Sequence, residues 1–169
     1  PAENAGGVAK IRPIATHNRH IHDYASWRGL LVLTGLEDGV RGTSPHLIRS
    51  ADGHAAVWVG AVDDLWSLGK AVGVGGPWRD SAVKAAEASD PYLMTGYDRK
   101  TLTLSHRASE PVMIRVEVDL SGTGHWVEYR KFTVPAGGKV THNFPAGFQA
   151  YWLRVTADHA TTATAQLVY

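Results

Sequence analysis

The clearest alternation of apolar and polar positions lies in the second half of the chain. In TLTLSH, residues 101–106, Leu102 and Leu104 share one face, while Thr101, Thr103 and Ser105 share the other. VMIRVEVDL repeats the pattern, with Val112, Ile114, Val116 and Val118 set against Met113, Arg115 and Glu117. A period of two marks a strand with one buried face. HWVEYRKFTV carries Trp126, Tyr129 and Phe132 with one break in the alternation, which a bulge accommodates. PAGGK reads as a turn, and VTHNFP, YWLRVTAD and TTATAQLVY read as further strands. The predicted core comprises Leu102, Leu104, Val116, Val118, Trp126, Phe132, Trp152 and Val155, with Trp58 from the first half.

Patterning in the first half is more varied. PAENAGGVAK has no periodicity and reads as a linker. Leu30–Leu33 form a continuous apolar run ended by Gly35, which predicts a short strand buried on both faces. EDGVRGTSP is a turn-rich loop. HLIRSADGHAAVWVG predicts a hairpin, with His46–Arg49 and Ala55–Val59 as arms and Asp52-Gly53 in the turn, where positive φ is needed. AVDDLWSLG fits either an irregular strand or one helical turn. Residues 69–91 contain Gly69, Gly73, Gly75, Gly76 and Pro77, and predict a long excursion with a short helix over Ser81–Ala88.

Short strands separated by Gly/Pro turns predict an all-β fold, an antiparallel β-sandwich of jelly-roll or discoidin-like form. Residues 92–169 would make the sandwich, and residues 69–91 the Gly-rich loop. Residues 1–68 would supply a linker and strands, completing an upstream propeller or second sheet, so a partner polypeptide or upstream domain is expected.

Composition adds exclusions. Of 169 residues, 44% are apolar and 20% charged, which predicts a folded product. A formal charge of +1 gives no drive toward nucleic acid, and no apolar run is long enough to insert in a membrane. With no cysteine there is no disulfide or thiolate chemistry. GVGG at 73–76 lacks the flanking signature of a phosphate loop, and no Ser sits in a GxSxG elbow. No cofactor is expected.

Candidate chemistry gathers at three places. THNRHIHDYASW, residues 16–27, sets His17, His20 and His22 close together. On an extended segment His20 and His22 share a face and His17 opposes them, so a zinc site would need a ligand from elsewhere. Surface or interface histidines are the simpler reading. Asp63 and Asp64 are adjacent carboxylates. General acid/base pairs on glycosidic bonds stand about 5–9 Å apart on separate elements, so these two are not such a pair by themselves. Their plainer roles are to hold a hydroxyl or cap a turn. His20, His22, Asp63 and Asp64 are therefore the catalytic candidates only within a pocket completed by another segment. The third signal is aromatic: the chain has six tryptophans. Indole faces stack on sugars. Trp78, in the Gly-rich segment beside Arg79 and Asp80, is the expected exposed contact, with Trp66 lining the same surface. A mild basic region near the start (Lys10, Arg12, Arg19, His20 and Arg28) would suit an acidic sugar, or is simply a solvated face.

Two stretches carry a resemblance. IRPIATHNRHIHDYASWRGLLVLTG with DGHAAVWVGAVDDLWSLGK is the first, and SDPYLMTGYDRKTLTLSH leading into IRVEVDLSGTGHWVEYRKFTV and QAYWLRVTAD is the second. Together they cover nearly the whole chain and resemble the C-terminal part of large exported bacterial proteins in which a propeller-like region precedes a β-sandwich. The second stretch is also similar to accessory sandwich modules of the discoidin or carbohydrate-binding type. The resemblance implies a secreted or periplasmic location and a polysaccharide or oligosaccharide partner. It implies a non-catalytic carbohydrate-associated or interaction module of a larger exported polysaccharide-active protein. The alternatives are part of a glycoside hydrolase or polysaccharide lyase whose active site another segment completes, and a purely structural domain. The resemblance maps no catalytic set onto these residues.

Overall fold

The computed structural model describes residues 11–16, 21–36 and 44–169. These form an all-β chain with three four-stranded antiparallel sheets, divided between two compact units.

The unit Ile14–Lys70 holds one sheet, ordered β1-β2-β4-β3. Its strands are β1 (Asp23–Trp27), β2 (Leu30–Leu36), β3 (Leu47–Arg49) and β4 (Ala56–Gly60). Arg28 and Gly29 join β1 to β2, at φ 50° and 82°. Positive φ at both central residues gives the hairpin a turn whose twist matches its strands. The β3–β4 hairpin follows the predicted pattern, with Leu47 opposite Trp58 and Arg49 opposite Ala56. Within its turn the Ser50 carbonyl accepts the Gly53 N–H at 3.0 Å, and the Asp52 carboxylate accepts the His54 N–H at 3.1 Å. Among the described residues, Leu33, Ala56 and Trp58 form the buried apolar cluster here, with Leu31, Leu47, Leu65 and Leu68 packed against them. The expectation of a strand buried on both faces is corrected: Leu30, Leu31 and Val32 are half-buried, because the small cluster of Leu33, Ala56 and Trp58 covers the strand only in part. The undecided AVDDLWSLG segment is a 3-10 helix over Val62–Leu68.

The other unit contains Ala71–Tyr169. Its strands are β5 (Val74–Val83), β6 (Tyr92–Leu93), β7 (Thr101–His106), β8 (Val112–Asp119), β9 (Trp126–Val134), β10 (Lys139–Asn143), β11 (Trp152–Ala157) and β12 (Thr161–Val168). They build two sheets, ordered β10-β7-β12-β5 and β6-β11-β8-β9. The predicted alternation holds: Leu102, Leu104, Val112, Ile114, Val116 and Leu153 are fully buried in one core that draws on both sheets. The break in β9 is a bulge, since Val116 faces Arg130 while Glu117 faces Glu128. Tyr129, left between them, turns inward to Phe144 and Phe148, at ring separations of 4.9 and 5.1 Å.

The Gly-rich segment is not an excursion, and Ser81–Ala88 is not a helix. Residues 74–83 form β5, an edge strand paired to β12. Pro77 is tolerated there because an edge strand has N–H positions outside the ladder. The glycines serve close approach. A Cβ on Gly76 would lie 2.0 Å from the Ala165 carbonyl oxygen, and one on Gly75 would lie 1.9 Å from the Tyr92 hydroxyl.

Lys100 is buried and its ammonium donates to two backbone carbonyls, Tyr97 at 2.6 Å and Phe148 at 2.8 Å. Burial pulls its pKa below 10.5, with Asp98 opposing the shift. Two loops distant in sequence are thereby tied to one side chain.

Candidate functional site

The site is built on the outward face of the sheet β6-β11-β8-β9. Directly opposed residues in an antiparallel pair point to the same side. Val118 and Leu153 face the core, so their neighbours Asp119 and Trp152 face outward. Asp119 is opposite Trp152 on β11 and opposite Trp126 on β9. The next outward row is Arg154, Glu117 and Glu128, and the row after it is Thr156, Arg115 and Lys131.

This arrangement corrects the prediction that Trp126 and Trp152 are core residues. Both are half-buried, on the opposite side of the sheet from Leu153 and Val155. In the row beside them runs an ordered polar array. The Arg154 guanidinium donates through Nε and Nη2 to the two oxygens of Glu117, at 2.9 and 3.1 Å. It also lies 4.5 Å over the Trp126 ring, so an acid and an indole fix the same cation. Glu117 is buried to 8% exposure, and Arg115 Nε stands 3.9 Å from Glu117 Oε2, beyond hydrogen-bond distance. Asp119 is sealed at 1% exposure. It accepts the N–H groups of Ser121 at 3.1 Å, Gly122 at 2.9 Å and Gly124 at 2.7 Å, and so braces the loop at the end of the face.

No family model, curated protein or solved structure matches this chain. The site therefore rests on its own geometry.

The residues singled out from the sequence fall elsewhere. Trp78 is a correction: it is 6% exposed and belongs to the sandwich core, so its ring cannot present a stacking surface. Its neighbours Arg79 and Asp80 are exposed, where the strand is distorted and Asp80 has φ 54°. Asp80 pairs with Arg107, and its N–H donates to Thr164 Oγ1 at 3.0 Å. Trp66 is 57% exposed and stands on the 3-10 helix of the other unit.

His17 and His20 lie outside the described residues. His22 is exposed just before β1, its N–H bonded to the Thr34 carbonyl at 3.1 Å. Among the described residues no group of three or more His, Cys, Asp or Glu side chains is arranged to hold a metal ion. Asp63 is exposed, whereas half-buried Asp64 turns back to accept the Ala61 N–H at 2.7 Å, capping the 3-10 helix. The same Asp64 oxygen lies 3.8 Å from His46 Nδ1, which is 3.0 Å from the Val59 carbonyl oxygen. The His46 ring in turn tilts against Trp58 at 5.2 Å. These contacts engage Asp64 Oδ2 with the Ala61 backbone and the His46 ring.

The polar face had a partial signal in the sequence. Met113, Arg115 and Glu117 were visible as the set opposite the valines of β8. Their partners on β11 and β9 were not, because register across strands is not written locally.

Proposed function

We propose that residues 71–169 are a non-catalytic recognition module that binds a glycan on the outward face of β6-β11-β8-β9. The observation that carries this reading is the Arg154 guanidinium, gripped by both Glu117 oxygens and laid over Trp126. A sugar offers hydroxyls that need fixed donors and acceptors, together with apolar C–H faces that suit indole. Ordering those groups before binding lowers the entropic cost of association. Glu117 is committed to Arg154 and Asp119 to loop amides, so both carboxylates here serve to organise the face. That favours recognition over acid/base chemistry.

The finer architecture belongs to the same proposal. Strands remote in the chain interleave: β12 lies between β5 and β7, and β11 lies between β6 and β8. Two Greek keys wound together produce this order, which supports a jelly roll over other sandwiches. The resemblance to accessory modules of exported polysaccharide-active proteins agrees with a binding role.

Affinity electrophoresis against soluble polysaccharides tests the reading, using the whole chain and the variants Trp152→Ala and Arg154→Ala. At least one polysaccharide is expected to retard the protein, and each variant to weaken that binding by about tenfold or more. Thermal unfolding would verify that the variants remain folded. If no polysaccharide retards the protein, or folded variants bind as the parent does, the proposal is wrong and a purely structural role replaces it.

A further inference from the structure

Resting on that reading of the face, we infer that the glycan carries an anionic group, a carboxylate or sulfate, received by Arg115 with Thr156 beside it. Arg115 and Thr156 are directly opposite across β8 and β11. Each has a buried polar atom without a hydrogen-bond partner, Arg115 Nε and Thr156 Oγ1. Thr156 as a whole is 6% exposed. Buried donors are ordinarily satisfied, so two unmet ones on facing residues mark a place short of an acceptor.

The charges of the face point the same way. Glu117 is one negative group between two guanidiniums, and Arg154 holds both of its oxygens. On the far side of Arg115, Lys131 is turned to Glu128 at 3.5 Å. Arg154 and Lys131 are thus each turned to an acid, while Arg115 stands 3.9 Å from a carboxylate that Arg154 already holds. Its Nε is closed to bulk water, but 43% of the side chain is exposed, so an incoming group meets the outer edge of the guanidinium. The planar fork matches two oxygens of a carboxylate or sulfate. Arg115 Nε–H and the Thr156 hydroxyl, on directly opposed residues, are the two groups on offer to those oxygens. The Arg154–Glu117 pair would meanwhile hold the neutral part of the ligand one row away.

The test is titration calorimetry of the whole chain with matched polymers. Polygalacturonate is compared with its methyl ester, and dextran sulfate with dextran. The readout is the ratio of acidic to neutral affinity. An acidic preference of about tenfold is expected, shrinking as salt is raised. A preference for polygalacturonate assigns the site to carboxylate, and one for dextran sulfate assigns it to sulfate. Arg115→Gln should bring the ratio close to one, and Thr156→Val should reduce it. Lys139→Gln, an exposed cation of the other sheet, should not change it. Equal binding of acidic and neutral polymers overturns the anion site while leaving the glycan reading intact. So does a preference that survives Arg115→Gln, or that falls equally with Lys139→Gln. Absence of binding to every polymer removes the glycan reading and this inference together.

Discussion

Arg154 and Glu117 sit directly opposite each other on β11 and β8, joined by two parallel hydrogen bonds on the outward side of a sheet whose inward side is entirely apolar at these strands. Glu117 is the more deeply buried partner. Removing the arginine therefore strands a carboxylate with little access to water.

Arg154→Met should destabilise the sandwich by about 2 kcal/mol, the cost of leaving a mostly buried acid without its main donor. Adding Glu117→Gln should recover part of that loss, because the stranded charge is gone. Urea midpoints of the single and double variants check the coupling. Strict additivity would show that the pair contributes no mutual stabilisation.

Trp78→Ala should cost about 3–5 kcal/mol by opening a cavity between the sheets. In contrast, Trp66→Ala, on an exposed ring, should change stability little. Chemical denaturation of both variants makes the comparison. A small effect at Trp78 would contradict its place in the core.

Gly76→Ala should be far more disruptive than the loss of glycine flexibility alone implies. Its Cβ would meet backbone at Ala165 O, Gln166 Cα and Ala165 C, none of which can swing away as a side chain would. Hydrogen exchange should then quicken along β5 and β12 while protection in β8 and β9 persists.

Acidification should weaken the fold through His142. Desolvation first, and then the charge of Arg130, pull its pKa below 6.5. Its ring stands against Phe132 and Phe144, and its Nε2 is 2.9 Å from the Tyr129 hydroxyl. With the folded pKa depressed, the unfolded chain takes up the proton first as pH falls. The contribution is therefore fully present above 6.5, is lost as pH drops toward the folded value, and is constant below that. Unfolding free energies measured across this window should decline with acid, and His142→Phe should flatten the decline.

Much of the sandwich was legible where one face of a strand is buried and the other wet. Leu102 and Leu104, or the valines of β8, declare their strands unaided. The Asp52-Gly53 turn was equally plain, because its backbone demand is local. β5 was hidden because the reason for its glycines is remote: Tyr92 and the Ala165 backbone crowd them, and neither is near in sequence. Three tryptophans went wrong, in both directions, for the same cause. Trp78 sits among glycine, proline and charge yet fills the core, and Trp126 and Trp152 sit in apolar strands yet face outward. Side-chain chemistry cannot tell which side of a strand a ring takes when the alternation around it is irregular. The Arg154–Glu117 contact spans 37 residues and depends on register that only the assembled sheet defines.

The lysine that ties two loops by their carbonyls does a task that bound cations often perform in small β proteins. Being part of the polypeptide, this tether cannot be diluted away, stripped by a chelator or exchanged for a competing ion. The loops it joins, around Tyr97 and Phe148, are held together by a charge the chain itself carries.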